Sequence, residues 1–130
     1  MIVDTSAIVA IALNEPERDR IVDAILDAPA AKIAAASMVE VAAVLMRRMA
    51  PEDFRRVESL IHELGIETVP FDAEQAASAT RAYRDFGRGS GHPAGLNLGD
   101  CYSYALAEVT GEPLLYVGDD FAHTDITAAR

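Results

Sequence analysis

Basic charge is scarce in this 130-residue chain: 11 lysines and arginines stand against 21 aspartates and glutamates, the formal net charge is -10, and Lys32 is the only lysine. A uniformly basic protein that coats duplex nucleic acid is thereby excluded, while a local basic groove remains compatible with the composition. Cysteine is nearly absent. Cys101 stands alone, which excludes an intrachain disulfide and a cysteine-rich zinc site and points to a reducing, cytoplasmic setting. Long hydrophobic runs are missing as well. Lys32, Glu40 and Arg47 interrupt the apolar stretches before the ~18 residues that a membrane span requires, and the opening Met-Ile-Val-Asp carries no basic leader. What remains is apolar enough to fold. With 51% hydrophobic and 25% charged residues, the chain is too apolar for disorder and too short for two ordinary domains, so one domain over 1–130 is expected.

The pattern alternates between short apolar runs and amphipathic stretches. Ile2 and Val3 form a strand that ends at Asp4 and runs into a helix over Ser6 to Leu13. Pro16 and the spacing of Ile21, Val22, Ile25 and Leu26 predict a helix from about Glu15 to Asp27. A buried strand over Lys32 to Ala36 follows, and Ser37 with Glu40 reads as a capping box that opens a helix through Met49. Pro51 starts a further helix ended by Gly65, and Ile66 to Val69 is the next strand. Asp72 and Gln75 open a helix from Ala73 to about Phe86, and the glycine-rich stretch Gly87 to Asn97 is expected to be exposed and mobile. Asp100 lies in the first turn of a helix that ends near Gly111, and Leu114 to Val117 is the last clear strand. Beyond Asp120 a turn, short helix or tail is expected. The class is α/β, a central parallel sheet covered by helices on both faces.

In such sheets ligands bind beyond the carboxyl ends of the strands, which directs attention to Asp4, Glu40, Asp100 and Asp119. If those ends share one edge, four carboxylates converge, and their repulsion calls for a cation. An all-oxygen donor set suits Mg²⁺ or Mn²⁺, and a metal there acidifies water and offsets charge on a phosphoryl oxygen, so phosphodiester hydrolysis is the natural reaction. Each acid also has a structural explanation. Asp4 can cap the following helix, Glu40 can be the reciprocal partner of Ser37, Asp100 can complement a helix dipole, and Asp119 and Asp120 can be turn residues.

Other chemistries find less support. His62 reads as a solvated helix residue, and His92 and His123 lack a second histidine at ligand spacing, so zinc is disfavoured. Gly89-Ser90-Gly91 does not make a nucleophile elbow, and no phosphate-cradling glycine motif follows the first strand. Cys101 reads as a core thiol.

Four segments carry a family resemblance: Ile2-Val3-Asp4-Thr5-Ser6-Ala7, Ser37-Met38-Val39-Glu40-Val41, the run from Gly95 through Asp100 to Ala105, and Leu115-Tyr116-Val117-Gly118-Asp119-Asp120-Phe121. In order and content they resemble the PIN-domain ribonucleases, specifically the VapC toxins of bacterial toxin–antitoxin modules, over essentially the whole chain. The resemblance implies a three-layer α/β/α fold, an acidic quartet of Asp4, Glu40, Asp100 and Asp119 holding Mg²⁺ or Mn²⁺, and support from Thr5 or Ser6 by hydrogen bonding. It also implies an endoribonuclease, a homodimer and neutralisation by a VapB-type antitoxin. In many relatives a longer spacer precedes the Asp-Phe pair, whereas Gly118 leads directly into Asp119-Asp120-Phe121 here. Asp119 is favoured as the fourth acid because it lies nearer the strand end, with Asp120 in a supporting place and Asp125 a weaker candidate.

An acidic ribonuclease must attract RNA through local patches, for which Arg47, Arg48, Arg81, Arg84 and Arg88 are the candidates. The acidity also suits a basic antitoxin segment whose arginine pairs with the carboxylates. Two competing classes are aspartyl-phosphate chemistry on Asp4 and a non-catalytic protein-interaction module. The first lacks an aspartate at Ser6 and a lysine late in the chain, and the second is at odds with the retention of all four acids.

Overall fold

The computed structural model describes residues 1–129; the domain expected over 1–130 thus includes one residue outside the described ones. Four strands, β1 (Ile2–Val3), β2 (Ala31–Ala34), β3 (Ile66–Val69) and β4 (Leu114–Leu115), form one parallel sheet in the order β3-β2-β1-β4. Six helices cover it: α1 (Thr5–Ala12), α2 (Arg18–Asp27), α3 (Ala35–Leu45), α4 (Pro51–Glu63), α5 (Ala73–Phe86) and α6 (Leu98–Thr110). Alternation along the strands sorts side chains between two cores. Val3, Ile33 and Leu115 join Ile8, Ile21, Val41, Leu45 and Ile61 on the face covered by α1 to α4. Ile2, Ala34 and Leu114 join Ala82, Leu96, Cys101, Tyr104, Leu106 and Phe121 on the face covered by α5 and α6. This is the three-layer α/β/α arrangement the sequence pattern calls for; β1, β2 and β4 are largely buried, as strands of a covered parallel sheet are, whereas the edge strand β3 exposes Glu67 and Thr68.

Several boundaries differ from expectation for identifiable reasons. The second helix starts at Arg18 rather than Glu15, because the chain leaves α1 through a left-handed Asn14 and the Glu15 amide donates back to the Ala10 carbonyl at 2.9 Å, placing Pro16 in the turn. The glycine-rich stretch is not an open loop. Leu96 is wholly buried, its amide donates to the Phe86 carbonyl at 2.9 Å and its carbonyl accepts from Arg88 at 2.9 Å, so only its tip is exposed. Beyond β4 the chain makes a 3₁₀ turn at Asp120–His123 and returns beside the sheet, where the Leu114 amide donates to Thr127 and the Ala129 amide to Leu114. At the opposite end of the sheet the lone lysine is fully engaged, since Lys32 and the N-terminal ammonium both pair with Glu112.

Candidate active site

Asp4 ends β1 and caps α1. Its extended backbone lets one carboxylate oxygen, Oδ2, accept from the Ser6 amide at 2.9 Å and the Ser6 hydroxyl at 2.6 Å. The Ser6 hydroxyl in turn accepts the Val117 amide at 3.0 Å, which ties the chain after β4 to the acid after β1. Capping therefore accounts for half of this carboxylate only. Its other oxygen, Oδ1, is buried and has no hydrogen-bond partner among the described residues, in a residue that is 2% exposed. A buried carboxylate oxygen without a donor is costly, and a bound cation would remove that cost.

The expected capping box of Ser37 and Glu40 does not form. Strand β2 runs straight into α3 at Ala35 with no connecting turn, so Ala34 takes the cap position without a side-chain bond and Ser37 falls inside the helix. The buried Ser37 hydroxyl lies 3.3 Å from that of Ser103 and joins α3 to α6 instead. Glu40 is thereby released from the structural role that local sequence assigned to it. Half-buried, its carboxylate lies against Gly99, where a Cβ would run into it. Burial raises its pKa, the Thr5 hydroxyl opposes that rise, and the Asp4 charge adds to it.

Asp100 is set by a reciprocal cap that the sequence reading missed. The Asn97 side chain accepts the Asp100 amide at 2.8 Å, and Asp100 accepts the Asn97 amide at 2.9 Å. The signal was legible as an Asn three positions before an acid. Burial pushes the Asp100 carboxyl up to about 7, the Asn97 amide opposes this, and the charges of Asp4, Asp120 and Glu40 push the same way. Acids from the end of β1, the second turn of α3 and the N-terminus of α6 thus feel one another. Of the neighbouring pair after β4, Asp120 bears on Asp100, whereas Asp119 precedes the 3₁₀ turn as its exposed cap residue without a side-chain cap bond.

The donors are oxygens throughout, which fits a hard cation. Among the described residues no three histidine, cysteine or acidic side chains stand close enough to enclose an ion as placed. Mg²⁺ is commonly held by one or two carboxylates with several waters retained, and the unpartnered Asp4 oxygen is where protein ligation would begin. Asp125 lies elsewhere, bonded to Tyr104. Cys101 is a wholly buried core thiol, its pKa pushed up to about 12 by burial and the Asp100 charge.

The candidate arginines are exposed and dispersed. Arg81 pairs with Glu108 at 3.5 Å and Arg84 with Asp85 at 2.8 Å. Arg47 and Arg48 lie beyond the end of α3, where Arg48 lines a groove with Ile11, Leu13, Asp53 and Arg56. Arg88 lies in the exposed tip of the glycine-rich stretch.

Fold and site together define a three-layer α/β protein with an acidic site at the carboxyl edge of its parallel sheet. Residues 1–126 match the family described as PIN domain. The chain is 55% identical to ribonuclease VapC42 of Mycobacterium tuberculosis over 129 residues, covering 99% of this chain and 98% of that one. It is 43% identical to ribonuclease VapC of Mycolicibacterium smegmatis over the full length of both. Among solved structures, VapC20 of Mycobacterium tuberculosis, described as a sarcin-ricin loop cleaving toxin, superposes with a TM-score of 0.77 at 15% identity, covering 99% of this chain and 98% of that one. A chain from a toxin–antitoxin complex of Klebsiella pneumoniae gives 0.70 at 16% identity, covering 93% and 89%. The chain belongs to the PIN-domain family, among its VapC-type members. Among the described residues no helix is long and apolar enough to cross a membrane.

Proposed function

We propose that this chain, as a single PIN domain over 1–130, is a Mg²⁺- or Mn²⁺-dependent endoribonuclease toxin that cleaves cellular RNA in the cytoplasm, acts as a homodimer and is neutralised by a VapB-type antitoxin. The observation that carries the reading is the buried, unpartnered Oδ1 of Asp4 beside Glu40 and Asp100, in a fold shared with VapC ribonucleases. Asp4 and Asp100 would hold the metal, with Glu40 and the Asp119-Asp120 pair completing the acidic site. Between those two, the influence of Asp120 on Asp100 supports Asp120 as the fourth acid and Asp119 as its flanking residue. A bound divalent ion would acidify water and offset charge on the phosphoryl oxygens.

The chain's own residues do the positioning. Ser6 restrains one oxygen of Asp4 so that the other stays available, Thr5 moderates Glu40, and the Asn97 cap fixes the Asp100 backbone at the start of α6. Glu40 needs the space that Gly99 leaves, which couples α3 to α6 at the site. Acids held close at neutral pH also favour a basic antitoxin side chain, which would compete with metal for the same oxygens. Arg47, Arg48, Arg81, Arg84 and Arg88 are proposed only as peripheral contacts to RNA phosphates.

The test is incubation of purified protein with total cellular RNA, with Mg²⁺ and with excess chelator, followed by sequencing of new 5′ ends. Discrete Mg²⁺-dependent ends are expected, and they should vanish in Asp4→Asn. Full cleavage in chelator refutes the metal reading. No cleavage of any RNA by folded, antitoxin-free protein favours an interaction module.

A further inference from the structure

Asp120 makes no hydrogen bond or ion pair of its own among the described residues, so its place depends on what anchors the turn that carries it. The anchors lie on both sides. Before and within the turn, Phe121 is 3% exposed and packs its ring 5.1 Å from that of Tyr116. After it, the Thr124 hydroxyl donates to the Phe121 carbonyl at 2.8 Å and accepts the Ile126 amide at 3.3 Å. Next in the chain, Asp125 accepts the Tyr104 hydroxyl at 2.8 Å. Tyr104 is 4% exposed and lies on α6 one helical turn beyond Asp100, with its ring 5.7 Å from Phe86. Burial and the adjacent Asp125 carboxylate keep this phenol protonated and therefore a donor.

One helix thus presents Asp100 at its first turn and grips, one turn later, the segment that carries Asp120. We propose that Tyr104 and Asp125 form a positioning clasp, a phenol–carboxylate hydrogen bond that holds the Asp120–His123 turn against α6 so that the last acid of the site stays beside Asp100. Asp125 then acts through the chain it holds rather than as a ligand, and Tyr104 is a positioning residue although its neighbours in sequence are core. The inference rests on the divalent-metal reading of the acidic site. Side chains that orient ligands from behind commonly affect metal affinity by roughly tenfold or more, which sets the size of effect to look for.

Three variants test it: Tyr104→Phe removes the donor, Asp125→Ala removes the acceptor, and Asp125→Asn keeps an acceptor oxygen while losing the charge. Mn²⁺ binding is measured by calorimetry on RNA-free protein, and hydrogen exchange is followed at the amides of 119–124. Tyr104→Phe and Asp125→Ala should raise the half-saturating Mn²⁺ concentration by about tenfold and speed exchange in the turn, with Asp125→Asn close to wild type. The double variant Tyr104→Phe/Asp125→Ala should be no worse than either single change, because both break one bond. Faster exchange with unchanged Mn²⁺ affinity overturns the proposal and leaves the bond as a fastener of the tail. If wild-type protein binds no Mn²⁺ at all, the metal reading itself fails, and the clasp falls with it.

Discussion

Asp100→Asn separates the cost of the acidic site from its use. The Asp100 carboxyl is raised from an ordinary value near 3.9 to about 7, chiefly by burial. Three pK units correspond to about 4 kcal/mol at most, and partial exposure reduces this to about 1–2 kcal/mol. Because the folded protein binds this proton more tightly than the unfolded chain, this group's contribution to stability is fully present below about pH 4 and is lost as pH rises through about 7. Asparagine removes that loss while its side-chain oxygen can still accept the Asn97 amide. The lost charge at a helix N-terminus costs about 0.5 kcal/mol, so desolvation wins and the variant should gain about 1 kcal/mol at pH 8. For a chain of this size that is roughly 3–5 °C in Tm. The assay is thermal unfolding in chelator at pH 5 and pH 8, with a parallel series in Mg²⁺. The variant's advantage should be larger at pH 8, and Mg²⁺ should raise the wild-type Tm but not that of the variant. An Asp100→Asn protein that melts below wild type in chelator at pH 8, or a gap equal at both pH values, refutes the electrostatic reasoning.

Glu40→Gln should stay folded and lose Mg²⁺-dependent cleavage by at least tenfold, checked by RNA cleavage beside a circular-dichroism melt; full activity at limiting Mg²⁺ would remove Glu40 from the site. Ser37→Ala, which loses the buried contact to Ser103 rather than a helix cap, should cost about 1 kcal/mol in denaturant unfolding while still cutting RNA below its transition. Asp120→Asn should impair cleavage more than Asp119→Asn, and the reverse order in a side-by-side rate measurement would return the fourth position to Asp119. Gly99→Ala must displace the Glu40 carboxylate, so its Mg²⁺ requirement should rise at nearly unchanged secondary structure.

Local pattern carried the architecture because its signals are themselves local. Short apolar runs, helical spacing and a cap at Asp72 depend on near neighbours, and the elements they mark reappear in the structure: the Gln75 amide donates to Asp72 at 2.9 Å, and strand β3 matches residue for residue. The same sequence also placed Asp4 and Asp100 at element boundaries, where an acid caps a helix whether or not it binds anything. What the sequence could not decide were relationships between distant segments. Ser37 and Glu40 satisfy a capping pattern, yet the absence of a turn between β2 and α3 starts the helix three residues earlier and frees the glutamate. Gly99 looks like an ordinary helix-start glycine until α3 is packed beside it, and the glycine-rich stretch looks solvent-exposed until Leu96 is buried under it. Whether Asp119 or Asp120 serves as the fourth acid depends on how the 3₁₀ turn sits beside α6, which no spacing along the chain encodes. The acids interact only because parallel strands deliver their carboxyl ends to one edge, a consequence of sheet topology rather than of any residue's own preference.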